Sequence, residues 1–202
     1  LFHGMMPFLH DYPPNPRLAV KPGTISMKVS PDLADIRPVI LGAVVRGVDI
    51  DENIVKRLME HQEKLHFALG RGRKRASIGV HDLAKITPPF RVEAVGRDKT
   101  FIPLAMKEQM SIDEILEKHP KGVDYAHLLQ GMERVPIIFD ANDDVISFPP
   151  IINGDHTTVT TDTRDLFIDV TGLDIRACES ALMLVCLQLS ILGGKIESVR
   201  VE

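Results

Sequence analysis

The chain has 202 residues, 44% of them apolar, with 24 Lys and Arg against 28 Asp and Glu and a net charge of −4. A chain of this length forms one sizeable domain or two small intertwined ones and buries roughly 70% of its extended surface, so it needs no disulfide or metal staple. The slight negative charge excludes a global attraction to nucleic acid, and any RNA contact must come from a local basic patch.

The chain begins at Leu1, carries Pro7, Pro13, Pro14, Pro16 and Pro22 in its first 22 residues, and lacks a basic segment followed by an apolar core. This pattern predicts a linker over residues 1–24 leading from a preceding part of a longer protein, without a signal peptide. A domain of two intertwined subdomains is expected over residues 25–202. "TISMKVS" alternates like a strand, and "VILGAVVRGV" is a nearly continuous apolar strand of the doubly buried kind. Asp51 then caps a helix with an apolar stripe of Ile54, Val55, Leu58, Met59 and Leu65 that stops at Gly70.

"ASIGVHDL" and "FRVEAVG" read as strands. Ser111 and Glu114 form a capping box for "SIDEILEKH", Met110 and Ile115 are spaced to staple its first turn, and Pro120 follows its end. "RVPIIFD" and "VISF" predict two strands joined by "ANDD". A Thr-rich strand, "RDLFIDV", a helix from Asp174 to Leu192 and a last strand "KIESVRVE" complete the chain. Paired strands with few helices predict an α+β fold. Cys178 and Cys186 are core positions of the last helix, which suits a reducing, cytoplasmic setting. The run "ALMLVCLQLSILGG" falls short of the roughly 20 apolar residues a membrane span needs, so no membrane partner is expected.

Polar residues threaded through the later strands are the strongest functional signal. In "RDLFIDVT", alternation places Leu166, Ile168 and Val170 on one face, with Asp165, Phe167, Asp169 and Thr171 on the other. A solvated outer face would explain the carboxylates, but Phe167 between them argues against it. A four-residue "ANDD" loop would pair Asp140 with Val145 and set Ile138 opposite Ser147. "DANDD" imitates the start of a calcium loop, yet Val145 and Ile151 replace its glycine and glutamate, so it reads as a turn. "GRGRKR" offers Arg71, Arg73, Lys74 and Arg75 as RNA-phosphate contacts, or as a solvated loop favourable to a helix end. The eight histidines show no metal-ligand spacing, and His81 and His156 read as structural or exposed residues.

The segments "ISFPPIINGDHTTVTTDTRDLFIDVTG", "GRGRKRASIGVHDL", "EILEKHPKG" and "DYAH" strongly resemble the beta subunit family of archaeal and eukaryotic-type phenylalanyl-tRNA synthetases, from about Ile36 to the C-terminus. The covered part resembles the editing module. That resemblance implies a three-layer sandwich of two β-sheets with helices on one side. It implies hydrolysis of mischarged tyrosyl-tRNA(Phe), with tRNA(Phe) and the synthetase alpha subunit as partners in a heterotetramer and no DNA. It also places ATP and magnesium chemistry elsewhere in the parent synthetase, with no cofactor and no metal in this segment. Residues carried over to the pocket are Ile138, where a leucine is usual, Ser147, Asp169 and Thr171. Phe167 and Asn153 join them as substrate-binding candidates. Ser147, Asp169 and Thr171 are expected to carry the chemistry through direct attack of a positioned water, because no residue is an obvious nucleophile. A non-catalytic tRNA-binding or assembly domain is the alternative; a metal-dependent hydrolase lacks the ligand spacing.

Overall fold

The computed structural model describes residues 18–202. Most of the expected linker therefore lies outside the described residues. Its end does not behave as a linker: β1 (Val20–Lys21) adds a parallel edge strand beside β12 (Lys195–Ser198).

Two sheets form the frame. The first runs in the order β1, β12, β3 (Val39–Arg46), β11 (Leu166–Gly172), β4 (Ala76–Asp82). The second runs β10 (Ile152–Asn153), β9 (Val145–Phe148), β8 (Arg134–Phe139), β5 (Phe90–Gly96), β2 (Ser26–Val29), β13 (Arg200–Val201). A small ribbon pairs β6 (Thr100–Phe101) with β7 (Met110–Ser111). The expected last strand is two strands, β12 in the first sheet and β13 in the second, so the chain changes sheets at Val199.

The alternation of β11 explains the layering. Leu166, Ile168 and Val170 face a core shared with α1 (Glu52–Ala68) and α4 (Ile175–Ile191), whereas Phe167 faces a core between the sheets with Val44, Phe90, Val92, Ile138 and Ile146. Each fully buried Phe or Ile contributes roughly 1.5–3 kcal/mol. The two long helices thus cover the outer face of the first sheet, completing a mixed α+β sandwich. A third cluster joins Val135, Ile137, Phe139 and Phe148 to Ile112, Ile115 and Leu116 of α2 (Ile112–Lys118).

Local signals set the helix ends. Asp51 accepts from Ile54 N at 2.7 Å at the start of α1, and Asp174 accepts from Ala177 N at 2.9 Å at the start of α4. The Ser111–Glu114 capping box is formed in both directions, and Met110 and Ile115 lie buried in the same cluster. Pro120 does more than follow α2: it opens a further helix, α3 (Pro120–Tyr125), at the first-turn position where its missing N–H costs nothing.

The β8–β9 hairpin departs by one residue from its expected register. Ile138 pairs with Ser147 as expected, but Val145 pairs with Phe139 rather than Asp140, through a bulge. Asp140 is withdrawn from the ladder because its carboxylate accepts from the backbone N–H groups of Asn142, Asp144 and Thr87 at 2.8–3.0 Å. The expected Thr-rich strand is a loop beginning with a 3₁₀ turn at Asp155–Thr157. Thr158 Oγ1 bonds locally to the Asp155 carbonyl at 2.6 Å, which competes with strand pairing, and Thr163 Oγ1 ties the loop to Asp82 at the end of β4 at 2.8 Å.

Candidate functional site

Strand β11 is central in its sheet, so its polar side chains are buried along with its apolar ones. Asp169 and Thr171 are each 1% exposed. A buried carboxylate needs a partner, and Asp169 Oδ2 has His81 Nε2 at 2.7 Å across the β4–β11 ladder. The other ring nitrogen, His81 Nδ1, meets Thr157 Oγ1 at 2.9 Å, and that hydroxyl donates to the Gly154 carbonyl at 2.9 Å. With the hydroxyl proton spent there, His81 Nδ1–H donates to Thr157, and one proton is shared between Nε2 and Asp169. The pair is net neutral, as its burial requires.

Gly79 sits opposite Asp169 in the ladder. A Cβ there would collide with Asp169 Oδ2 and lie 2.5 Å from His81 Nε2, so only glycine leaves room for the pair.

Thr171 has a different surrounding. Its hydroxyl accepts from Arg37 Nε at 2.7 Å and lies 3.1 Å from Ser77 Oγ, while Arg37 NH2 reaches the carbonyls of Thr171 and Arg73 and Ser77 Oγ at 2.8–3.1 Å. Burial pushes the Arg37 guanidinium down to about 10, against the opposing pull of the Asp169 charge. Sequence reasoning did not single out Arg37; a lone arginine before Pro38 gives no motif.

A cavity of about 260 Å³ opens between α1, β4, the β9–β10 hairpin and the Thr157–Val159 loop. This is close to the lower end of ligand pockets, which run from roughly 300 Å³. Asp169, Ser147 and Asn153 line it together, along with Ser77, Gly79 and Thr157. Ser147 Oγ donates to Asn153 Oδ1 at 3.1 Å, which leaves the Asn153 amide hydrogens for another acceptor. Pro149 and Pro150, joined by a cis peptide bond, form part of the same lining.

Ile138 and Phe167 are fully buried in the core between the sheets and do not line the cavity. Phe167 stacks on His81 with centroids 5.8 Å apart and packs on Phe90 at 4.4 Å. Thr171 reaches the lining only through Ser77.

The basic turn splits. Arg71 and Lys74 are exposed, and Arg75 is half-buried and ion-paired with Asp174. Arg73 turns inward: it is 6% exposed and lines the cavity, with NH1 donating to the Ile151 and Pro150 carbonyls at 2.7 and 3.2 Å. Three consecutive residues, Arg71, Gly72 and Arg73, have φ of 46°, 62° and 68°. Left-handed backbone costs about 1–2 kcal/mol per non-glycine residue. The inward bonds of Arg73 offset this.

His66 and Gln62 were also missed. Strand β4 is an edge strand, and its Ile78 N–H donates to His66 Nε2 at 2.8 Å while its carbonyl accepts from Gln62 Nε2 at 2.6 Å. Side chains of α1 therefore close the open edge. The spacing of four residues between Gln62 and His66 was legible as one helix face. Beside them Glu63 is held down at about 2, by the facing His66 imidazole first and then by the Arg73 and Lys121 charges.

Among the described residues, no three His, Cys, Asp or Glu side chains gather as a metal site. Nor is any described helix long and apolar enough to cross a membrane.

The two-sheet sandwich thus holds a small, largely apolar cavity with a few polar groups on its wall. The B3/4 domain family matches residues 55–183, and the chain belongs to that family. Within it, the chain is 54% identical over 186 residues to the phenylalanine–tRNA ligase beta subunit of Methanosarcina acetivorans, covering 92% of this chain and 34% of that protein. It is 46% identical to the corresponding subunit of Archaeoglobus fulgidus over 91% of this chain and 33% of that protein. The chain thus spans about a third of the length of these curated relatives. A crystal structure of an N-terminal fragment of the phenylalanyl-tRNA synthetase beta subunit from Pyrococcus horikoshii superposes with a TM-score of 0.90 at 40% identity, over 93% of this chain and 54% of that one. Over this segment the chain is thus similar to phenylalanine–tRNA ligase beta subunits of archaea.

Proposed function

We propose that this cavity is the second sieve of a phenylalanine–tRNA ligase, hydrolysing the ester of tyrosine wrongly attached to tRNA(Phe). The observation that carries the proposal is the meeting of Asp169, Ser147 and Asn153 on one small, largely apolar cavity. An apolar pocket that selects phenylalanine rejects an isostere bearing an extra hydroxyl by only about 100-fold. A buried polar reader supplies the missing discrimination, because phenylalanine would leave it unpaired at about 1–3 kcal/mol. Ser147 and Asn153 are the proposed readers of the phenolic hydroxyl. Ile138 supports Ser147 from the neighbouring strand, Phe167 supports His81, and Thr171 orients Ser77.

Hydrolysis proceeds by direct attack of water. Ser147 has its hydroxyl proton on Asn153 and no base beside it, so it is a poor nucleophile. Asp169, anchored by His81, orients the attacking water, whose proton passes to the departing terminal ribose oxygen. Exposed Arg71 and Lys74, with Arg75 behind them, are the proposed contacts for tRNA phosphates. In the whole synthetase, which uses ATP and magnesium on other segments, the alpha subunit completes the assembly in the cytoplasm.

A second reading, a docking or tRNA-binding module without catalysis, is favoured by the exposed apolar side chains of α4, where Met183 is 61% and Ile175 48% exposed. Asp169→Ala separates the two. Lost deacylation with unchanged tRNA binding supports editing; weakened binding with no deacylation by either protein supports docking.

A further inference from the structure

Two cationic side chains meet a single carboxylate oxygen at the opening of the cavity. Glu63 Oε1, on α1, accepts from Arg73 NH2 in the basic turn at 2.7 Å and from Lys121 Nζ in α3 at 3.3 Å. All three residues line the cavity. The side chains of Glu63 and Lys121 also reach solvent, at 49% and 38% exposure, so the cavity opens where they meet. Glu63 Oε1 itself marks a position, within reach of both donors, that an oxygen atom fits.

The three groups differ in how firmly they are held. Arg73 NH1 donates to the Pro150 and Ile151 carbonyls at 3.2 and 2.7 Å, and the Tyr125 ring lies 4.3 Å from the guanidinium carbon. The same ring lies 5.9 Å from Lys121 Nζ. Glu63 is bonded through Oε1 alone among the described residues, so side-chain rotation carries its carboxylate into solvent. The facing His66 imidazole and then the two cations hold its carboxyl down at about 2, so the group in this position is an anion at neutral pH. Two cations against one carboxylate leave a unit of positive charge there.

We propose that Glu63 fills an anion seat at the cavity mouth, and that the phosphate of an RNA terminal nucleotide takes this seat while Glu63 swings into solvent. The choice of nucleotide rests on the editing reading proposed above: an aminoacyl ester held beside Asp169 carries its ribose, and the phosphate on the far side of that ribose, toward the opening. A phosphate group offers unesterified oxygens that share a negative charge, which suits a fixed guanidinium facing a flexible ammonium. Phe67 favours a nucleotide over a free anion. It is 81% exposed and stands four residues after Glu63 in α1, so the two side chains share one helix face with Cβ atoms about 5–6 Å apart. An exposed aromatic ring beside cations is a stacking platform for an unpaired base. Exposed Arg71 and Lys74 continue the basic surface in the turn that follows α1.

The test titrates AMP, adenosine and inorganic phosphate into the 202-residue protein, followed by NMR or calorimetry. AMP is expected to bind about tenfold more tightly than adenosine, and more tightly than phosphate. Glu63→Gln, which removes the competing charge, should tighten AMP by about threefold and leave adenosine unchanged. Lys121→Ala should erase the gap between AMP and adenosine without changing the melting temperature. Phe67→Ala should weaken AMP and adenosine by the same factor. Equal affinity of AMP and adenosine, binding of neither, a gap that survives Lys121→Ala, or weaker AMP binding in Glu63→Gln overturns the seat. Phosphate binding as tightly as AMP, or no effect of Phe67→Ala, overturns the nucleotide as its occupant. Deacylation of tyrosyl-tRNA(Phe) is measured in parallel on the same proteins, where Lys121→Ala should raise KM with kcat unchanged. Hydrolysis without a probe gap sinks the seat and leaves editing standing; a gap without hydrolysis sustains the seat and sinks editing.

Discussion

His81 Nε2 lies 2.7 Å from Asp169 Oδ2, and neither residue is more than 1% exposed. Removing the imidazole strands a buried carboxylate. His81→Ala should cost about 3–5 kcal/mol in urea denaturation. His81→Gln, whose amide can donate near the Nε2 position, should recover part of that loss. Equal stability of His81→Ala and the parent protein would contradict the shared-proton pair.

Gly79→Ala tests the same geometry from the facing strand. The added methyl would overlap Asp169 Oδ2, so the carboxylate must move out of the cavity lining. Deacylation should fall by at least 100-fold, while tRNA binding by filter retention stays unchanged. Full activity in a folded Gly79→Ala protein would show that Asp169 has no fixed position to lose.

The strand pattern of β11 was legible because a period of two is strict: Leu166, Ile168 and Val170 face the helices and Phe167 faces the second sheet. Caps at Asp51, Ser111 and Asp174 were legible because they are local chemistry. What sequence could not give was the company these residues keep. His81 lies 88 positions from Asp169, and Arg37 lies 134 from Thr171; nothing in the spacing announces either contact. Arg73 was grouped with its charged neighbours, yet a left-handed turn sends it inward while Arg71 and Lys74 stay in solvent. The threonines of 157–163 have strand propensity, but the hydroxyls of Thr158 and Thr163 each engage backbone within the loop, and Thr157 and Thr163 also reach His81 and Asp82. The bulge at Val145–Ser147 follows from Asp140 capping the turn, a choice between two bond sets that alternation does not encode.

Acid should destabilise the fold in two stages. Burial lowers the His66 pKa from its ordinary 6.5, so the unfolded chain takes up that proton first. Stability is therefore complete above about pH 6.5 and declines as pH falls toward the lowered folded value. Glu63, lowered from 4.5 to about 2, adds stability above pH 4.5 that is lost between 4.5 and about 2. Melting temperatures between pH 8 and 5 should fall on the acid side, and His66→Gln should flatten that part of the curve. An unaltered slope in His66→Gln would place the titration elsewhere.

Arg71→Ala and Lys74→Ala address the proposed RNA contact. Each phosphate contact removed should lower the slope of log affinity against log salt by about 0.7–0.9. Arg73→Lys, being buried, should leave that slope unchanged. A reversed order among the three would move the tRNA contact into the cavity.

Deacylation of tyrosyl-tRNA(Phe) against phenylalanyl-tRNA(Phe) by the 202-residue protein tests the second-sieve proposal most directly. Ser147, Asn153 and Asp169 on one cavity predict rapid release of tyrosine with the phenylalanyl ester left largely intact, at a ratio of at least tenfold. Release of both amino acids at the same rate, or of neither, would contradict it.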